Sequence, residues 1–351
     1  MFLHDDGRLP RAWAPWFSHE YINYCAVRAL AAICDLPPVP VRTNPFGADP
    51  SWPLGPHHRD LYKESFRVAR SLAPLGSFDY SARNGDYSAE APPDVAIEPW
   101  KVLVIYGTEP DLKPDCDLFL HKRQKLTGGS HGWRHMEFSV LGMTVGMVRE
   151  SFRYHRDRAR AAFGDGHEYW GWRYLSRCTH YLADLGNPFH VKALPGPYLV
   201  RRIASVRSLM VTASAIHKSY EIYVERRFRE GFSPFCEALA HGAVEGIGSG
   251  DIVDRAMDRY VADAKKRFNS LFYHFIDMYG KELIDAFGVM KEESGEDASE
   301  LVSRCASEAS RVIFGESKKS SLASLDRITV DILRDVGKML GSLLGGFVKA
   351  R

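Results

Sequence analysis

Residues 174–191 read YLSRCTHYLADLGNPFHV. His180 and Asp184 stand four apart, a spacing that puts both side chains on one face of a helix. Tyr181, Leu182 and Leu185 make that neighbourhood apolar. A histidine and an aspartate carried together into apolar surroundings need a partner, and a divalent metal is a natural one. Asn187-Pro188 then stops the helix, because the residue before proline is pushed out of the helical region. His190 follows past that break, where it can turn back toward a neighbouring metal. Residues 215–228 read AIHKSYEIYVERRF, and there His217 and Glu221 repeat the i, i+4 pairing. One such pair alone is an ordinary helix contact. Two pairs with a histidine between them predict a di-metal site on facing helices.

Working outward, helical periodicity predicts helices over 17–34, 137–163, 167–185, 200–230, 235–246, 251–288, 297–314 and 322–348. Ser18 is a candidate cap for the first of them, and Gly164-Asp165-Gly166 separates the second from the third. Strand signals are short and confined to Pro38–Arg42 and Lys101–Tyr106. Eleven of the 19 prolines lie in 36–100, which reads as a loop-rich insertion. Trp52, His57, His58 and Tyr62 lie in it, either packing it or shaping an entrance. The fold class is therefore all-α, with no internal repeat. An N-terminal stub over 1–12 precedes a body over 13–250. A helical extension over 251–351 follows, with Glu292–Ser299 as a linker within it.

Composition narrows the function. The 351 residues carry 46 basic and 44 acidic side chains, a balance that excludes a broad basic coat for nucleic acid. Six cysteines form no C-x-x-C pair, so neither a thiolate metal site nor a required disulfide is expected. No run of 18 apolar residues marks a membrane span. The start, MFLHDDGRLPRAW, lacks the apolar core of a secretory signal. That makes a cytoplasmic chain the default and leaves export open. The 14 histidines are the residue type that metal binding would use. His155, His167, His241 and His274 read as ordinary surface or helix residues.

The order His180, Asp184, His190, then His217 and Glu221 resembles the bacterial zinc-dependent phospholipase C family, whose fold is shared with fungal and plant single-strand nucleases. The family pattern is H-x3-D-x5-H followed by H-x3-E, and every ligand type and internal spacing agrees. HYLADLGNPFH is similar to the family's H-Y-L-G-D-x-x-Q-P-x-H, with Asn187 in place of the glutamine. WAPWFSHEYI at 13–22 resembles the tryptophan-rich start of family members. TGGSHGWRHMEF at 127–138 resembles a segment that supplies one further histidine. The resemblance covers 13 to about 230.

It implies two or three zinc ions. His19 matches the family's early histidine. His135 matches the later one, with His131 as the alternative. The acidic partner comes from Glu109, Asp111, Asp115 or Asp117, and the G-x-x-x-D approach in IEPWKVLVIYGTEPD favours Asp111, as ligand and general base. A third ion would take Trp13, His19 and Asp184, although Trp13 would need a free amine and 12 residues precede it. The implied activity is phosphodiester hydrolysis on phospholipid headgroups. Hydrolysis of single-stranded nucleic acid is the alternative, and a zinc-stabilised binding module is the non-catalytic reading. The ligands are nitrogen and carboxylate oxygen, which suits zinc without excluding manganese or iron. The last helix carries Leu322, Leu325, Ile328, Ile332, Val336, Leu340, Leu343 and Phe347 at helical steps, with Arg327, Arg334, Lys338 and Lys349 opposite. It either packs on its own domain or docks on a lipid surface.

Overall fold

The computed structural model describes residues 18–40, 42, 96–112, 120–122, 134–140, 143–198, 206–247, 253–279 and 319–350. Trp13, the bulk of the proline-rich insertion with Trp52, His57, His58 and Tyr62, the 297–314 helix and the Glu292–Ser299 linker lie outside them. The described chain is overwhelmingly helical, as the sequence predicts. In chain order it runs α1 (Ser18–Arg28), α2 (Ala31–Cys34), β1 (Val39–Pro40), β2 (Ala96–Ile97) and α3 (Pro99–Ile105). A 3-10 turn (Tyr106–Leu112) follows, then β3 (Glu137–Val140) and β4 (Met143–Gly146). The rest is α4 (Val148–Gly164), α5 (Glu168–Gly186), α6 (Pro188–Val191), α7 (Val206–Arg229), α8 (Ser233–Ile247), α9 (Val253–Tyr279) and α10 (Lys319–Lys349).

The organising element is α5. Every residue from Tyr169 to Gly186 is buried. A helix buried on all sides is a core helix, and α1, α3, α4, α9 and α10 all touch it. One hydrophobic core takes side chains from α1 through α10. The described helices of 251–351 therefore share the core of the 13–250 body. All eight apolar positions predicted for the last helix lie in or against that core, Leu325 and Leu340 without any exposure. That stripe packs on its own domain. No described helix is long and apolar enough to cross a membrane.

Among the described residues, α8 and α10 pack at backbone distance. Gly242 and Gly246 on α8 face the backbone of Arg334, Lys338 and Ser342 on α10, and Gly337, Gly341 and Gly345 on α10 face that of Leu239, Ala243 and Ile247 on α8, so the two backbones approach directly. A Cβ on Gly246 would lie 2.0 Å from the Lys338 carbonyl oxygen. Cys236 of α8 forms a disulfide with Cys25 of α1, with Cα atoms 5.1 Å apart and a separation of 211 positions in sequence. The sequence reading requires no disulfide, and so distant a pair leaves no local signature. In the chain-entropy account such a closure is worth on the order of 2–5 kcal/mol.

Three local expectations are corrected. Lys101–Tyr106, expected as a strand, is helix α3 with its last residue in the 3-10 turn. Pro99 opens it at the first helical position, and burial of Val102, Leu103, Val104 and Ile105 overrides their β preference. The helix expected over 137–163 begins only at Val148, because Glu137–Val140 pairs with Met143–Gly146 as an antiparallel hairpin. Gly146 has φ +102, and a Cβ there would meet the Met136 carbonyl at 1.8 Å, so glycine alone fits the exit of that hairpin. Ser18 lies inside α1, and its hydroxyl caps nothing among the described residues. Val39–Pro40 is a strand as expected, paired with Ala96–Ile97 across the two ends of the insertion.

The glycine seam gives a test with an unusual sign. In an ordinary helix interior, glycine to alanine stabilises by about 1 kcal/mol. Gly246→Ala is expected to destabilise this protein by about 1–3 kcal/mol through overpacking against α10, read from a denaturant or thermal melt. A raised melting temperature would contradict the close approach.

Candidate metal centre

The site is built along one face of α5. Arg173, Arg177, His180 and Asp184 follow at steps of four, three and four, so they form a single polar stripe on a buried helix. The 3-10 turn Tyr106–Leu112 lies across that stripe and answers it residue by residue. Glu109, buried, accepts from Arg173 Nε at 3.1 Å and from Arg177 Nε at 2.5 Å. Asp111 sits two residues further on, with Oδ1 3.7 Å from His180 Nε2 and 3.9 Å from His135 Nε2. Of the two described acids in this region, Glu109 is therefore committed to arginines and Asp111 faces the histidines. Asp115, Asp117 and His131 lie outside the described residues.

Asp184 is the hub. Its Oδ2 accepts from His135 Nδ1 at 2.9 Å and lies 3.3 Å from His180 Nε2. Its Oδ1 lies 3.6 Å from His19 Nε2 and 3.3 Å from His190 Nδ1. The His180 ring is oriented from behind, because its Nδ1 donates to the Gly107 carbonyl at 2.8 Å and leaves Nε2 for the centre. His19, brought in by α1, stacks on that ring with centroids 3.7 Å apart.

The second group forms where the chain turns back. Asn187 adopts an extended backbone, as expected before proline, and its Oδ1 caps α6 by accepting from the Phe189 amide at 3.0 Å. His190, one residue later, donates from Nδ1 to the His135 carbonyl at 2.5 Å. Its Nε2 then faces His217 Nε2 at 2.5 Å and Glu221 Oε1 at 3.5 Å, while His217 Nε2 and Glu221 Oε1 are 2.7 Å apart. Lys218 on α7 holds the other Glu221 oxygen at 3.3 Å.

Three sets of potential ligand atoms result, each within 4.8 Å: His19, Asp111 and His180; His135, His180 and Asp184; His190, His217 and Glu221. The first two share His180 and form one pocket, and Asp184 connects that pocket to the third set. Eight of the nine predicted ligands thus converge, and Trp13 lies outside the described residues.

The electrostatics demand positive charge. Burial pushes the Asp184 carboxyl up, yet His190, His180 and the hydrogen bond from His135 hold it well below the usual carboxylate range. Burial likewise opposes ionisation of Glu221, and His217 and Lys218 hold its carboxyl well below the usual range. Asp111 is lowered against its own burial by His180, His135 and His19. Burial lowers His19, His135 and His217. Burial also works against the charged forms of His180 and His190, but Asp184 raises both. The residues fit a divalent cation on two further grounds. Asp184 Oδ1 and Asp111 Oδ2 are buried with no hydrogen-bond donor among the described residues. The two Nδ1 bonds to carbonyls aim the opposite ring nitrogens of His180 and His190 at neighbouring ligands.

Sequence reasoning passed over the arginine stripe, although its spacing is written in α5. It also placed His155 on the surface. That ring is fully buried and stacks on Tyr181 at 5.6 Å, behind the site. His167 is exposed, as expected. Comparisons with protein-family models, characterised proteins and solved structures return no match.

Acid sensitivity follows from these shifts. Metal requires neutral imidazole, and His180 and His190 have pKa values raised above 6.5. Proton competition therefore begins above pH 6.5 and strengthens as pH falls. The depressed carboxylates add stability that is present above their unfolded values of 3.8 and 4.5 and is lost as pH falls below them. Release of bound metal to a chromophoric chelator is expected to rise as pH is lowered from 8 to 5. Release that is flat across that range would contradict the histidine assignment.

Proposed function

We propose that this chain is a zinc-dependent phosphoric ester hydrolase of the phospholipase C type, acting on phospholipid headgroups. The observation that carries the reading is the connection through Asp184 of one group of potential ligands to a second, so that two groups able to hold a cation lie side by side. His190, His217 and Glu221, two histidines and one carboxylate, would hold one zinc ion through three side chains, the ligand number of catalytic sites. When bound, paired zinc ions bind phosphoryl oxygens, offset developing charge and acidify water.

The remaining roles fall to the chain itself. Asp184 and Glu221 are nearly fully buried and serve as fixed ligands. The Asp111 side chain is 22% exposed, the most open carboxylate of the site, and its depressed pKa keeps it ionised. It is the group suited to accept a proton from attacking water. Lys218, 29% exposed beside Glu221, adds a cation at the rim where a phosphodiester would approach. His190 Nδ1 donates to the His135 carbonyl, so a backbone bond links the segments that bear the two histidines.

The test is hydrolysis of a chromogenic phosphocholine ester and of single-stranded DNA, with and without chelator. Chelator-sensitive turnover of the ester is expected, and His180→Ala is expected to lower it by more than about 100-fold. Turnover of DNA alone would move the substrate class to nucleic acid. Chelator that unfolds the protein without any turnover would make it a zinc-stabilised binding module. Full activity in His180→Ala protein free of zinc would overturn the reading.

A further inference from the structure

The 3-10 turn Tyr106–Leu112 is tethered at four successive residues by groups from other elements. The Gly107 carbonyl accepts from His180 Nδ1. Thr108 Oγ1 donates to Glu20 Oε1 of α1 at 3.0 Å. Glu109 accepts from Arg173 and Arg177 of α5. The Pro110 carbonyl accepts from Arg134 Nη2 at 3.0 Å. Asp111 is the next residue. Glu109, Arg134, Arg173 and Arg177 are all at most 3% exposed. Arg173 is itself fixed between aromatic faces, with its guanidinium carbon 4.1 Å from the Tyr106 ring centre and 4.6 Å from that of Trp170.

Buried ion pairs of this kind are poor sources of net stability, because desolvation of the charges offsets their attraction. Their strength is geometric: planar guanidinium groups fix a carboxylate in one orientation. Arg134 precedes His135 in the chain, so its bond to Pro110 also sets the spacing between the segment that bears His135 and the turn that bears Asp111.

We propose that Arg134, Arg173, Arg177 and Glu109 are positioning residues, a clamp that presets Asp111 opposite His135 and His180 before any cation arrives. The inference rests on the metal-site reading above. Preorganisation removes the ordering cost from binding, and groups that orient metal ligands are worth 10- to 100-fold in affinity.

Zinc titration calorimetry on the full chain tests it, with Glu109→Gln and Arg134→Gln beside Asp111→Asn as the reference. The clamp predicts that the ion sensitive to Asp111→Asn weakens 10- to 100-fold in both clamp variants, while the other ion stays within about threefold. Equal weakening of both ions, or of neither, in variants whose metal-free melts match the parent would overturn it. Hydrogen exchange on the unaltered metal-free protein gives a reading independent of variant folding. Amides of 107–111 are expected to be protected before zinc is added. Protection that appears only with zinc would overturn the clamp. A parent protein that binds no zinc at all would overturn the metal-site reading itself and the clamp with it.

Discussion

A carboxylate buried to 1% exposure cannot stand alone in a protein interior. Asp184 meets that constraint by gathering four histidines, His19, His135, His180 and His190, from α1, the segment before β3, α5 and α6. The rest of the architecture can be read from that gathering. The α5 helix must be central, since it carries the hub. The Asn187-Pro188 break must follow at once, since His190 has to return to the same carboxylate. Helix α7 must lie alongside, since His217 and Glu221 complete the second set.

Around the hub the molecule divides its work. Arg173 and Arg177, which hold Glu109, occupy one stretch of the α5 stripe, and His180 with Asp184 occupies the next. The first stretch holds the 3-10 turn in place, and the second presents ligand atoms. Support comes from farther out, where glycines let α8 and α10 meet at backbone distance and a disulfide joins α8 to α1. Because α1 carries His19, that covalent tie anchors the helix that bears it to α8.

The ligand pattern was legible because helix geometry converts spacing into direction: His180 with Asp184 and His217 with Glu221 need only the i, i+4 rule. Asn187-Pro188 was legible for an equally local reason. Other features depend on distant contacts and left weaker traces. Glu109 and Asp111 are indistinguishable as sequence, and only the arginines of α5 separate them. The hairpin at 137–146 was hidden because its apolar positions also satisfy a helical period, and the requirement at Gly146 comes from the Met136 carbonyl. Burial turned Val102–Ile105 into helix against local preference. His155 was misplaced because its burial is decided by Tyr174 and Tyr181 on the next helix. The pairing of Cys25 with Cys236 had no local signal at all.

The central claim is that Asp184 joins two adjacent cation positions. Anomalous diffraction at the zinc absorption edge, from crystals of the zinc-loaded full chain, addresses it most directly. One peak is expected among Asp111, His135, His180 and Asp184, and a second among His190, His217 and Glu221, with Asp184 Oδ2 on the first. No peak at either set, or a single peak that leaves Asp184 uncoordinated, would contradict it.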